Sequence, residues 1–315
     1  MRVVVLSGGR SSEHDVSLRS GAAVADGLAA ASHDVVAVRI ERDGRWTLDG
    51  EELEIAPGRG LLGGDVAFPV LHGPYGEDGT VQGTLDVLDV AYVGPSVLAA
   101  AVCIDKLTFK RLLAFHGIAQ VDFCAAGDEG WRAPLWVKPS RLGSSVGITK
   151  VDDPERELDA AVEAARRHDP RVIVEAGAEG REVECSVIGN DAPETSLPGE
   201  IVAHADWYDF EAKYEPGGMD LVVPAPIDEA ATTRVRELAA EVYRVTSCSG
   251  LARCDFFVTD SGEVLVNELN TIPGFTETSV FAKLFEATGI PYPQLCDRLV
   301  ALAVERYERE REYDF

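Results

Sequence analysis

The segment RCDFFVTDSGEVLVNELN, residues 253–270, constrains the fold more than any other stretch of the chain. Two apolar-rich runs flank Asp260–Glu263, which is a hairpin pattern. Ser261-Gly262 suits a two-residue loop, because glycine supplies the positive φ. In that register Asp255 stands opposite Glu268 and Arg253 opposite Asn270, all on one face of the ribbon. Directly opposed side chains have Cβ atoms roughly 4.5–5.5 Å apart. Two carboxylates that close repel, so a positive group is expected between them. A hard divalent cation held by carboxylate and amide oxygens suits the set. Magnesium bound in this way keeps positions for water and substrate phosphates, which points toward nucleotide chemistry. A surface hairpin with scattered charges is the plainer alternative.

The chain is long enough, at 315 residues, for about two domains and a substantial core. Its net charge of −25 argues against nucleic acid or an anionic membrane as partner. The apolar run in MRVVVLSGG is too short for a signal peptide, and Val97–Ile104 is too short to span a bilayer. A cytoplasmic protein is expected. The six cysteines form no CxxC pair and mostly have apolar neighbours, which favours buried, reduced thiols over zinc ligands. Only six of the 29 basic residues are lysine. Lys106, Lys138 and Lys213 each fall in a segment that looks functional on other grounds, and they are the candidate cations for a polyphosphate.

Along the chain, strands are expected at Val3–Leu6, Val35–Ile40 and Val66–Leu71, with a helix from Val16 to Ala31. Ligands of such open α/β sheets bind beyond the carboxyl ends of strands, where Gly8-Gly9 and His72-Gly73 lie. A second unit begins near Ser96, with an amphipathic helix over 103–116, strands within 120–151 and a helix over 153–168. Strands follow at Val172–Glu175, 182–188 and 200–204, then a polar loop over about 205–220. Helices are expected at 228–246 and 293–311, on either side of the hairpin.

Within LWVKPSRLGSSVGITKV, two strands are joined by Pro139–Val146. Gly143-Ser144-Ser145 can wrap an anion with backbone N–H groups beside Lys138. Alone, such a loop reads more readily as a plain turn, and it is not a P-loop. In GGRSSEHDVSLRSG, Asp15 suits a helix cap, whereas Glu13 above the sheet could hold the ammonium of an amino acid. A dinucleotide site is disfavoured, since GxGxxG is missing and Glu13 would repel a pyrophosphate. Lys213-Tyr214 sit on a loop long enough to act as a lid. In NTIPGFTETS, backbone N–H groups near Gly274 and the Ser279 hydroxyl could bind a carboxylate or an oxyanion, though a Pro-Gly turn into a helix reads equally well.

Taken together, these segments resemble the D-alanine–D-alanine ligase family of the ATP-grasp superfamily. The likeness runs nearly the whole chain, through SGGRSSEHDVSLRSG, HGPYGEDGTVQG, GPSVLAAAVCIDK, VKPSRLGSSVGI, EAKY, RCDFF and NELNTIPGFT in order. It implies an α/β, three-domain ATP-grasp architecture whose amino-terminal sheet is open and Rossmann-like. The implied units are an amino-terminal substrate domain over 1–95, a central subdomain over 96–180, and a carboxyl-terminal subdomain over 181–315 carrying the metal site and lid.

The resemblance also implies roles. Glu13 would bind the first D-alanine's ammonium, and His72 would line the amino-acid pocket. Lys106, Lys138 and the loop at Ser145 would meet ATP phosphates, Glu182 the ribose, and the linker from Glu175 to Ala178 the adenine. Asp255, Glu268 and Asn270 would hold two magnesium ions, with manganese as a substitute. Lys213 would reach the γ-phosphate, while Ser144, Tyr214 and Glu13 latch the lid. Arg253 and Gly274 would stabilise the tetrahedral intermediate, and Ser279 and Val280 would shape the second D-alanine's subsite.

Glu175-Ala176-Gly177-Ala178 is smaller than the family's usual linker, which implies a roomier adenine pocket. The implied function is ATP-dependent synthesis of D-alanyl-D-alanine for peptidoglycan, through an acyl phosphate, by a possible homodimer. A relative using D-serine or D-lactate is the near alternative, and Lys213-Tyr214 argues against D-lactate. A silent nucleotide-binding protein would be marked by loss of site residues, none of which is lost.

Overall fold

The computed structural model describes residues 1–127, 133–143, 146–203 and 218–313. Ser144, Ser145, Lys213 and Tyr214 therefore lie outside the described residues, as does most of the expected lid. The first sheet contains β1 (Arg2–Gly8), β2 (Asp34–Ile40), β3 (Trp46–Leu48), β4 (Glu51–Glu52), β5 (Val66–Pro69) and β6 (Ala91–Tyr92). Its order is β4-β3-β2-β1-β5-β6, with parallel pairing from β2 through β1 and β5 to β6. Helices α1 (His14–Ala30) and α2 (Thr80–Leu88) connect these strands. β1 buries both faces: Val3 and Val5 join one core, Val4 and Leu6 another. The chain moves from β1 to β2 on one side and returns to β5 on the other, so a switch point forms at the carboxyl end of β1. Gly8 there has φ +95°, and a Cβ on it would stand 2.3 Å from the Ile40 carbonyl oxygen, so only glycine fits.

Where one helix was expected over 103–116, two occur: α3 (Val97–Ile104) and α4 (Lys106–Phe115). Asp105 ends the first and caps the second, its Oδ1 accepting from the Thr108 N–H at 3.0 Å. The second sheet is antiparallel, in the order β7 (Phe123–Ala125), β10 (Val172–Ala176), β8 (Leu135–Pro139), β9 (Thr149–Val151), and α5 (Pro154–Arg166) covers it.

The third sheet comprises β11 (Arg181–Gly189), β12 (Glu194–Thr195), β13 (Gly199–Ala203), β14 (Met219–Val222), β15 (Gly250–Val258) and β16 (Val264–Asn270). It runs β14-β13-β11-β15-β16, with β12 beside β11. Its helices are α6 (Glu229–Val245), α7 (Val280–Ala287), into which the Pro-Gly turn leads, and α8 (Tyr292–Glu310). Cores cross the boundaries drawn from sequence. Ala99, Cys103, Phe109 and Leu113 pack beneath the third sheet with Val183 and Tyr243. Leu295, Leu299 and Ala303 of α8 pack with Val3 and Val5 of the first sheet and Leu28 of α1. All six cysteines are buried free thiols.

The hairpin corrects the expected turn and keeps the expected pairs. Gly262 N–H donates to the Thr259 carbonyl at 2.9 Å, and Gly262 has φ +82°, so the loop is the three residues Asp260–Gly262. That loop puts Val258 opposite Val264 and Phe256 opposite Val266. Continued without interruption, it would set Glu268 on the wrong face. A register shift between Asp255 and Phe256 leaves Asn267 as an extra residue, and Asp255 faces Glu268 with Arg253 facing Asn270.

Candidate active site

A cleft of about 350 Å³ lies between the three sheets, and it gathers Glu13, His72, Arg253, Glu268, Asn270, Gly274, Ser279 and Val280 from distant parts of the sequence. Glu13 is buried at the N-cap position of α1, and it is Glu13, not Asp15, that occupies that position. Asp15 sits in the first turn and pairs with Arg42 at 2.9 Å. A side chain on Gly73 would meet Glu13 Oε2 at 2.9 Å, and one on Gly143 at 3.8 Å, so two glycine loops close on this carboxylate. His72 is held from both ring nitrogens, by the Ile272 carbonyl at 2.9 Å and by Ser20 Oγ at 3.2 Å. Burial pushes its pKa below the ordinary histidine value, against the pull of Glu13.

Ser279 is the N-cap of α7, and its Oγ accepts from the Thr276 N–H at 3.0 Å. The same loop brings Gly274 within 3.4 Å of that oxygen, measured from where its Cβ would be. Val280 is buried beside Ile201 and Leu284. Glu77, within HGPYGEDG, was passed over in the sequence reading. Its carboxylate accepts from Gly73 N–H at 2.7 Å and Ile272 N–H at 3.2 Å, tying the first sheet's loop to the segment after β16. Burial, with Glu13 as a like-charged neighbour, raises its pKa to about 8.

On the hairpin, Arg253 grips Asp255 with two hydrogen bonds of 2.7 Å and lies 2.9 Å from Glu184 Oε2. Asn270 Nδ2 donates to Asp255 Oδ2 at 2.9 Å. Lys106 Nζ stands 3.4 Å from Glu268 Oε2 and donates to the Leu142 carbonyl at 2.9 Å. The positive charge expected between the two carboxylates is thus supplied here by side chains, Arg253 at one and Lys106 at the other. The donor set still suits a hard cation, since Asp255, Glu268 and Asn270 present carboxylate and amide oxygens from adjacent strands. Among the described residues no three His, Cys, Asp or Glu converge as a metal cluster, so the third oxygen must come from the amide. Glu184, opposite Asp255 on β11, was also passed over; its signal is the alternation Glu182-Val183-Glu184.

Lys138, Glu175, Ala178 and Glu182 stand apart from this cleft, near the junction of the second and third sheets. Lys138 Nζ is 2.5 Å from Glu175 Oε2, and Lys110 Nζ is 3.0 Å from Oε1. Burial would raise the Glu175 pKa, but the two ammonium groups bring it down to about 2. Burial lowers the Lys138 pKa, and Glu175, then Glu268 and Glu182, more than reverse this. Glu182 is exposed on β11, and Ala178 lies half-buried in the linker between β10 and β11. The neighbouring Gly177 has no room for a Cβ, which would fall 2.6 Å from Pro134 Cγ.

Residues 99–301 match the family described as D-ala D-ala ligase C-terminus, and residues 2–59 and 55–95 match D-ala D-ala ligase N-terminus. The D-alanine–D-alanine ligase of Streptomyces avermitilis is 43% identical, covering 97% of this chain and 94% of its own. That of Deinococcus radiodurans is 43% identical, over 96% of this chain and 98% of its own. The solved D-alanine–D-alanine ligase of Coxiella burnetii superposes with a TM-score of 0.90 at 36% identity, covering 99% of this chain and 96% of that one. The VanG D-Ala:D-Ser ligase of Enterococcus faecalis superposes with a TM-score of 0.86 at 34% identity, covering 96% of this chain and 99% of that one.

Proposed function

The chain belongs to the D-alanine–D-alanine ligase family and joins two D-alanine molecules in an ATP-dependent reaction; from that premise we propose how its residues divide the work. The observation that carries the proposal is the convergence of Glu13, His72, Arg253, Gly274 and Ser279 on one cleft. Glu13 receives the ammonium of the first D-alanine, with His72 as wall. That substrate's carboxylate attacks the γ-phosphate of ATP, forming an acyl phosphate and ADP. The amine of the second D-alanine attacks the acyl carbon, and phosphate departs. Arg253 and the Gly274 N–H offset the charge of the tetrahedral intermediate, while Ser279 holds the second carboxylate beside Val280.

Lys106, Lys138 and the backbone at Ser145 bind phosphate oxygens, Glu175 and Ala178 adenine, and Glu182 the ribose. Lys213 reaches the γ-phosphate on closure, and Ser144 and Tyr214 latch to Glu13, excluding water from an intermediate that hydrolyses readily. Asp255, Glu268 and Asn270 would hold two magnesium ions, or manganese, which when bound would neutralise phosphate charge. We assign the units as 1–95, 96–180 and 181–315, and place the enzyme in the cytoplasm, as a homodimer, making dipeptide for peptidoglycan. No described helix is long and apolar enough to cross a membrane.

The test is incubation with ATP, magnesium and D-alanine, following phosphate release and product mass together. Phosphate matched by D-alanyl-D-alanine, and abolished in Glu268→Gln, is expected. Phosphate without that dipeptide would redirect the second subsite to D-serine, the reading favoured by the likeness to the D-Ala:D-Ser ligase.

A further inference from the structure

Lys110 belongs to no motif that the proposed chemistry uses, yet it is withdrawn from water more completely than Lys106 and Lys138, which do. Only 1% of it is exposed. It lies one helical turn beyond Lys106 on α4, on the same face. Its Nζ reaches Glu175 Oε1 at 3.0 Å and the Val121 carbonyl at 3.4 Å, and its own carbonyl accepts from Gln120 Nε2 at 2.9 Å. Burying an ammonium is expensive, and an apolar side chain of like volume would fill this corner at lower cost. A function other than packing is therefore worth seeking.

Charge supplies one. Lys138 and Glu175 alone cancel, leaving no net charge to meet a polyphosphate. Glu182 and Glu268 act on Lys138 as well, and the whole chain carries −25. We infer that Lys110 is a positioning residue for ATP: it takes one oxygen of Glu175, so that the Lys110–Glu175–Lys138 cluster keeps a net positive charge and Lys138 remains an effective phosphate ligand. The second consequence is geometric, since a carboxylate held at both oxygens cannot swing away from the linker that follows it. The inference rests on the nucleotide roles proposed for Lys138 and Glu175.

The measurement is steady-state kinetics on purified, folded enzyme, varying ATP and D-alanine separately. Lys110→Met is expected to raise KM for ATP about tenfold or more, with kcat and KM for D-alanine within about twofold of wild type. The double variant Lys110→Met/Glu175→Gln removes one charge of each sign and restores the net charge. It is expected to lower KM for ATP about threefold or more below that of Lys110→Met, whatever Glu175 itself contributes to adenine. Loss of packing volume alone would produce no such rescue.

A folded Lys110→Met enzyme with unchanged KM for ATP overturns the inference, as does a folded double variant that binds ATP as weakly as the single. If Lys110→Met does not fold, the double variant alone decides. Wild-type enzyme that turns over ATP while the variants match it defeats only this inference. Wild type that does not turn over ATP defeats the proposed function, and this inference with it.

Discussion

On the second sheet Glu175 faces two ammonium groups and has a pKa of about 2, whereas Glu77, in the cleft between the sheets, has two backbone N–H partners, a carboxylate neighbour and a pKa of about 8. Burial pushes both upward. Lys110 and Lys138 overturn that push at Glu175, while Glu13 adds to it at Glu77. Depth decides the size of the penalty on a charge, and the company kept at that depth decides its sign. The two sides therefore suit the opposite needs proposed for them. One would hold fixed charge for an anionic substrate, and the other would keep a carboxyl group close to its point of ionisation beside a zwitterion.

The contrast should break most visibly in Glu175→Leu, which leaves Lys110 buried without its counter-charge. A loss of about 3–5 kcal/mol is expected from denaturant midpoints. Glu77→Gln should cost no more than about 1.5 kcal/mol, because it removes a charge that its site disfavours and surrenders one hydrogen bond. Equal losses would mean that the two sites differ less than their partners suggest.

The pH dependence of stability sharpens the same contrast. Glu175 has a folded pKa below the ordinary 4.5, so its contribution is present above about 4.5 and fades as pH falls toward 2. Glu77 has a folded pKa above 4.5, so stability should decline as pH rises from about 4.5 through 8. Unfolding free energies across that range should show the second slope in wild type and not in Glu77→Gln. The smallest expected effect is in Glu13→Gln. Removing the like charge should move the midpoint of the Glu77-linked decline to lower pH, and a midpoint that stays put would assign the shift to burial alone.

Much of this arrangement was legible in the sequence, for reasons that also explain what was not. The pairing of Asp255 with Glu268 follows from two-residue periodicity. The three-residue loop and the extra residue at Asn267 leave no compositional mark, and their register effects offset each other. The break at Asp105 was hidden because the apolar pattern runs on through it, although aspartate is a natural cap. For α7, the Pro-Gly turn signalled a helix start, but the short apolar run after it does not by periodicity alone set the helix's length. Lys110 escaped notice because a lysine's burial depends on a partner far along the chain. Glu77 is marked only by its contact with the Ile272 N–H, 195 positions away, which no local pattern reveals. The cores shared between the units were equally invisible, since α8 shows its amphipathic period without naming the sheet it covers.

That last docking has a consequence for synthesis. α8 is fastened to the start of the chain by apolar contacts with β1 and α1, and by Arg306, which donates to the carbonyls of Tyr92 and Gly94. A ribosome delivers β1 long before α8, so the flank of the first sheet that α8 covers lacks that cover while the chain between them is made. α8 is the clasp that closes that flank once it arrives.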